Sequence, residues 1–286
     1  MEYGNPLYID TPLGTLSFNV QGGPFWLNGG TLGIPRRSAS EDLSSRDGSF
    51  VFDTFRGGAT PVLQGHIRVS TMDDRAAALD ELRGKLASIE KTDGYLRFTP
   101  TGGIGRQMTV RLFDDPNPGG DLVKTFQIAL KSGNAYAESQ VQKSIDTSTL
   151  TAAAGGTFVF PISFPVAFGD PTGKGNASCS NDGNVATFPI VRIYGAVTAP
   201  TITNVATGQR VSLPGLTLAS GDYAEIDMNL ETITLNGAPD YRLEGKADFS
   251  VSEFFALVPG VNSVTLSAAS FDAGAKATIL YRDAYA

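Results

Sequence analysis

A chain of 286 residues with a formal net charge of -7 and no basic run is long enough for about two domains and lacks the electrostatic footprint of a protein that wraps nucleic acid. Charged residues make up only 18%, against 41% hydrophobic, while 33 glycines and 16 prolines supply many turns, which points to a mainly β class with few long helices. The single cysteine, Cys179, excludes a disulfide framework within the chain. No apolar run reaches the roughly 18 residues that span a bilayer, and the N-terminal MEYGNPLYID has neither the basic nor the apolar region of a signal peptide, so a soluble chain made in a cytoplasm is expected.

In chain order, Leu16 to Val20 alternates with period two and predicts a half-buried strand. Gly22-Gly23-Pro24 turns the chain into the short apolar run Phe25-Trp26-Leu27. Residues 35–48 read as a polar loop, residues 49–55 as a strand with Phe50, Phe52 and Thr54 on one face, and residues 67–70 as another strand. Residues 72–91 are the one convincing helix: Leu79, Leu82, Leu86 and Ile89 recur at spacings of three, four and three and form a single apolar stripe. Ser70 or Thr71 caps it, Asp73 and Asp74 oppose the helix dipole in its first turn, and Asp93-Gly94 ends it. Residues 95–98, 107–113 and 123–131 predict three more strands, the last reached through a turn at 114–121, so the first domain is a sheet with one helix packed on it.

Residues 132–156, small and turn-rich, are the expected junction, with strands of the second domain from Phe158 onward. Residues 170–182 read as a polar Gly/Asn/Ser loop holding Cys179, whose thiol is expected to be structurally neutral. From Asn181 to the end, short apolar runs alternate with turn residues about every ten positions, the pattern of an antiparallel β-sandwich.

A search for chemistry yields catalytic, cofactor and metal sites of none. His66 is the only histidine and has no nucleophile elbow near it; one His and one Cys cannot supply a usual zinc site. Asp115 to Asp121 resembles a calcium loop, but its two prolines and missing distal glutamate make it a hairpin turn. Gly102-Gly103-Ile104-Gly105-Arg106 lacks the Lys-Ser/Thr of a phosphate-binding loop and reads as a strand connector. Asp73/Asp74 and Glu225/Asp227 are explained by capping and by an outward strand face rather than by acid–base work. Asn176-Ala177-Ser178 matches a glycosylation sequon by chance, and Trp26 with Phe25 is read as core or interface before sugar platform.

The C-terminal runs carry a resemblance. Phe188 to Gly195 reads FPIVRIYG; Pro200 to Asn204 with Thr207-Gly208, then Gly221-Asp222, Ile226-Asp227 and 232–237 follow. Phe254 to Asn262 reads FFALVPGVN, and the chain closes on ILYRDAY at 279–285. Together with the strand–helix–strand at 67–98, their order resembles the distal tail proteins of long non-contractile-tailed phages, the siphovirus-type tail component family. The resemblance implies a ring-forming, β-sandwich-like belt domain with one α-helix at 1–137 and a galectin-like antiparallel β-sandwich at 138–286. It implies a non-enzymatic structural protein of the virion, at the distal end of the tail and assembled in the host cytoplasm. A homohexameric ring would join tail tube to tail tip or baseplate and act as an assembly hub. The implied partners are further copies of itself, the tail tube protein, the tail-associated hub protein and the tape-measure protein. DNA would pass through the ring without specific binding, and no membrane insertion is implied.

Two other readings stand beside it: a carbohydrate-binding adhesion module at the tail tip, and another tube or tip subunit. Galectins read sugars with a His, Asn and Arg set and a Trp. Here the only His and Trp lie in the first domain, which argues against the adhesion reading. The absence of His, Trp and paired acids around residues 254–266 assigns that apolar run to a core. Pro259-Gly260 then sets a turn, and Asn262 bonds to nearby backbone.

Overall fold

In the computed structural model, which describes residues 5–31, 33, 36–37, 40–42, 49–51, 55–118, 125–150 and 173–286, the chain divides into two units: residues 1–140 with 285–286, and residues 141–284. The fold is mainly β with one α-helix, as the composition leads one to expect.

In the first unit, Leu7, Ile9, Leu16 and Phe18 alternate inward along β1 (Leu7–Thr11) and β2 (Gly14–Phe18). β1 pairs antiparallel with β2 through a two-residue turn that ends at Gly14, φ 113. Asn19 then leaves β2 in the left-handed region (φ 57). Its Oδ1 accepts the Leu27 N–H at 2.8 Å, which fastens β2 to β3 (Phe25–Thr31) where the ladder itself supplies the parallel pair Phe18–Phe25.

Within the expected loop at 35–48 the described residues 36–37 and 40–42 are strands, and within the expected strand at 49–55 the described residues 49–51 and 55 are strand as expected. They are β4 (Arg36–Arg37), β5 (Ser40–Asp42), β6 (Ser49–Val51) and β7 (Phe55–Arg56), paired β4 with β7 and β5 with β6. Backbone pairing needs no apolar alternation, so the polar sequence concealed β4 and β5. Phe52 and Thr54 lie outside the described residues. β8 (Val62–Ile67) finishes at Ile67, where a strand was expected to begin. Gly65 is required within it: a Cβ there would stand 2.3 Å from the Trp26 carbonyl and 2.6 Å from the Phe126 ring.

Helix α1 (Met72–Ala87) is capped by Thr71, whose Oγ1 accepts the Asp74 N–H at 3.1 Å. It ends four residues short of the expected Lys91, with Ser88 at its C-cap. The apolar stripe nevertheless continues into the core, because Ile89 is fully buried beyond the last turn with Leu82 and Leu86. Leu79 is only partly buried. β9 (Gly94–Phe98), β10 (Arg106–Pro118), β11 (Thr125–Lys131) and β12 (Ala137–Ser139) follow. Residues 114–118, expected in a turn, extend β10, whose pairing with β11 shifts register after Leu112 and again after Asp114. Residues 106–110 pair with β9 and residues 111–118 with β11, so the order β11-β8-β3-β2-β1-β9-β10 returns to β11 and the ladder closes. Phe18, Phe25 and Phe126 meet inside it with ring centroids 5.7 to 6.1 Å apart.

The second unit opens on β13 (Lys143–Asp146). Residues 147–150, expected as linker, are fixed instead: Thr147 and Leu150 donate their N–H groups to Ala277 and Ala275, and Leu150 is buried. The strands expected from Phe158 lie outside the described residues. The loop expected at 170–182 is a nine-residue strand, β14 (Gly173–Asn181), whose Gly175, Ala177, Cys179 and Asn181 point inward. Small inward residues carry no apolar signal, and here they are needed, since a Cβ on Gly175 would lie 2.1 Å from the Ser148 carbonyl.

The rest comprises β15 (Ile190–Tyr194), β16 (Val197–Thr198), β17 (Thr201–Asn204), β18 (Arg210–Ser212), β19 (Thr217–Leu218), β20 (Tyr223–Asp227), β21 (Thr232–Leu235), β22 (Gly260–Ala268), β23 (Ser270–Phe271) and β24 (Lys276–Tyr281), while β25 (Ala284–Tyr285), at the chain's end, belongs to the nine-stranded sheet beside β12. One sheet runs β13-β24-β15-β20-β21, a second β14-β22-β17-β18 and a third β19-β16-β23. Their inward residues share one core that includes Val191, Ile226, Phe255, Leu257, Val264 and Ile279.

Three buried asparagines hold the segment that enters β22. Asn181 donates to the Leu257 carbonyl (3.0 Å), and Asn204 to that of Ala256 (3.1 Å). Asn262 accepts the Val258 N–H (3.0 Å) and donates to the Val258 and Gly260 carbonyls (2.8 and 3.1 Å). The expected turn at Pro259-Gly260 is thus closed by Asn262, with Gly260 at φ 94.

Two stability outcomes follow. Leu82→Ala should cost about 2–5 kcal/mol, read as a lower denaturant midpoint by fluorescence of Trp26, the lone tryptophan, which lies in the first unit. Asn262→Ala removes the partner of the Val258 N–H and of the Val258 and Gly260 carbonyls and should cost about 1–3 kcal/mol; circular dichroism should then show an earlier transition while the Trp26 signal keeps its midpoint.

Candidate functional site

The residues singled out by sequence do not converge. His66, on β8, accepts the Arg68 Nε–H at Nε2 (2.9 Å), and Arg68 lies 5.1 Å over the Trp26 ring. Trp26 donates its indole N–H to Gly23 (3.0 Å), so the lone His and Trp form one outward-facing cluster of the first unit with an arginine between them. Asp73 and Asp74 sit exposed at the helix start. Residues 102–105 connect β9 to β10, and residues 119–121 of the calcium-like stretch lie outside the described residues.

Glu225 pairs with Arg192 (2.7 Å), and Asp227 accepts two backbone N–H groups from Asn229 and Leu230, both at 2.9 Å. Cys179 stands in a strand interior, and burial pushes its thiol up to about 11, which leaves it without thiolate character at neutral pH. Asn176 spends its side-chain oxygen on the Thr265 hydroxyl (2.8 Å). Among the described residues no three His, Cys, Asp or Glu side chains gather in a way that could hold a metal, and no helix is long and apolar enough to cross a membrane.

The first unit has a shallow groove of ≈ 490 Å³ whose walls carry Glu90, Asp93, Arg111 and Lys131, with Arg111 already paired to Asp93 at 2.6 Å. Such a surface, with both signs of charge, favours no particular ligand charge. The arrangement as a whole has the means to pack and to present surfaces.

Backbone edges show where surfaces are closed. Glu253 and Asp248 donate their N–H groups to Arg210 and Ser212 along the outer edge of β18 (2.7 and 3.0 Å). Leu243 donates to Ile233, and Leu235 to Tyr241, along that of β21 (2.8 and 2.9 Å). The second unit therefore covers these sheet edges with its own chain.

Sequence reasoning missed one polar centre. Lys143 Nζ donates to Asp182, Asp283 and the Ser180 carbonyl, each at 2.8 Å, and lies 5.7 Å over the Tyr281 ring. Burial by itself would lower the lysine, but its hydrogen bonds to Asp182 and Asp283 outweigh that and raise it above its ordinary range. The hydrogen bond from Lys143, with one from Ser180, lowers the Asp182 carboxyl. No local motif could reveal the centre, because its partners lie 39 and 140 positions away.

Comparison with known proteins places these features. Residues 182–285 match the model of the siphovirus-type tail component, C-terminal domain. The fold of nearly the whole chain recurs in the crystal structure of the Dit protein of phage SPP1, at 12% identity and a TM-score of 0.59, over 98% of this chain and 99% of that one. It recurs also in the baseplate of phage P2 in its activated conformation, with calcium (TM-score 0.50) and with strontium (0.51), each at 12% identity over 96% of this chain and 97% of that one. At such identity these structures establish the fold. No curated protein matches the sequence.

The matched stretch begins at Asp182 and ends just past Asp283, the two carboxylates that hold Lys143. Lys143→Met removes an ion pair from the buried Asp283, which keeps the Asp182 N–H (2.9 Å), and should lower stability by about 1–3 kcal/mol at neutral pH. Because the folded-state carboxyl of Asp182 is lowered, its contribution is complete above its unfolded value and is lost as pH falls through the folded one. The difference between wild type and variant in thermal melts should therefore shrink below about pH 4.

Proposed function

From a chain whose residues 182–285 are a siphovirus-type tail component domain and whose whole length has the Dit fold, we propose a structural hub at the distal end of a phage tail: a homohexameric ring that joins the tail tube to the tip or baseplate. The family match over 182–285 carries the reading. As a tail component, the protein is a non-enzymatic part of the virion, and the residues fit that role through packing and surface presentation.

The sheet edges support a division of labour between the two units. Unit 141–284 covers the outer edges of β18 and β21 with its own loops. The first unit instead carries β4–β7 and β5–β6, which are two-stranded ladders among the described residues. A two-stranded ladder is marginal in water alone, so a neighbouring copy that extends it gains both pairing and burial. Residues 1–137 are accordingly assigned the ring and residues 138–286 the outward-facing galectin-like sandwich. The tail tube protein, the hub protein and the tape-measure protein are the proposed neighbours, with DNA passing through the pore unbound.

Light scattering of the full chain should give a particle of six times the 30.1 kDa chain mass, and electron microscopy should show a ring with a central pore. A monomer at micromolar concentration would defeat the ring, and long filaments would make the chain a tube subunit. Residues 141–284 expressed alone should elute as a monomer; assembly of that piece would reverse the division of labour.

A further inference from the structure

The outward cluster of the first unit depends on where one proton sits. Arg68 Nε donates to His66 Nε2 at 2.9 Å, so that nitrogen is bare and the neutral ring carries its proton on Nδ1. The bond holds the Arg68 guanidinium 5.1 Å over the Trp26 ring. The frame around it is fixed. Trp26 and His66 are register partners of β3 and β8, the indole N–H donates to Gly23 (3.0 Å), and the Arg68 backbone N–H donates to Pro24 (2.8 Å).

No carboxylate faces the imidazole from its own sheet. β3 carries no titratable residue, and Thr125, the β11 register partner of His66, is uncharged. The carboxylates lie on the other side of Arg68, on α1. Arg68, Asp74, Ala77 and Glu81 line one groove of ≈ 420 Å³, closed at its far side by Gly22 and Pro24. Glu81 is paired with Lys85 at 2.6 Å, whereas the Asp74 carboxylate has no partner among the described residues.

We propose that His66 and Arg68 form an acid-operated side-chain switch. With His66 neutral, Arg68 is seated over Trp26 and the groove stands open. With His66 protonated, Arg68 turns into the groove against Asp74 and fills it. Protonation puts an N–H where the guanidinium needs an acceptor and sets two cations side by side. The Trp26 face, an exposed cation–π contact, is too weak a seat to hold Arg68 against both. Asp74 supplies the charged acceptor that His66 has withdrawn. The β3–β8 ladder is untouched, so the change is confined to side chains. Its result is a first-unit surface whose charge and relief differ between about pH 8 and about pH 5.

The chain has one histidine and one tryptophan, so each gives a single signal. The full chain, labelled with nitrogen-15 histidine, is read by magic-angle-spinning NMR in any oligomeric state, and Trp26 by its fluorescence. At about pH 8 the imidazole should carry its proton on Nδ1, and titration to about pH 5 should move the Trp26 emission in one step with the imidazole signal. Arg68→Ala, at an exposed position, should shrink that step. Asp74→Asn weakens the acid seat and should lower the midpoint by a few tenths of a pH unit. A proton on Nε2 at about pH 8, a step of undiminished size in Arg68→Ala, or a midpoint that Asp74→Asn raises or leaves in place would overturn the proposal.

Discussion

The apolar run that enters β22 depends on three amides. Residues 256–259 cross between sheet elements without a continuous ladder, and while Leu257 is buried, Val258 and Pro259 reach the surface, so the segment's backbone relies on side-chain partners from beneath it. Asn181, Asn204 and Asn262, each at most 1% exposed, are those partners. They come from β14, β17 and β22, so one short segment locks three strands of one sheet into a single register. Asn262 Oδ1 also lies 3.5 Å from the Asn204 amide, which makes the groups a connected set. A satisfied buried network of this kind costs little and penalises every register that would strand one of its members.

The first unit solves the same problem by closure. β10 is long enough to serve two neighbours in succession, and two register shifts bend it from one to the other. Where the ladder is thinnest, between β2 and β3, Asn19 supplies a side-chain bridge and occupies the left-handed backbone that the turn requires. In both units an asparagine completes pairing that backbone geometry alone leaves open.

How much of this was legible depends on where the partners lie. Helix α1 was legible because its apolar residues recur at three, four and three, although the buried Ile89 drew the expected end past Ala87. The turn at Pro259-Gly260 and the role of Asn262 were legible because their bonds are local. β14 was not, since Gly175, Ala177 and Cys179 face inward and read as loop. Lys143 was not, since it meets Asp283 only in the folded chain. The outer face of the β13-β24-β15-β20-β21 sheet falls between these cases. The outward position of Glu225 and Asp227 could be read from alternation, but Tyr194 meets Tyr223, and Arg192 meets Glu225, only through the β15–β20 register.

That distinction bears on what kind of function the chain can hold. Groups with strongly displaced proton affinities often mark sites of chemistry, but structural ion pairs displace them too. Here the displaced groups are spent on structure: Lys143 on two carboxylates, Asp146 on Lys276 and Thr278, and Cys179 on a strand interior. A chain with a net charge of -7 and no basic run can also stand beside a polyanion without binding it.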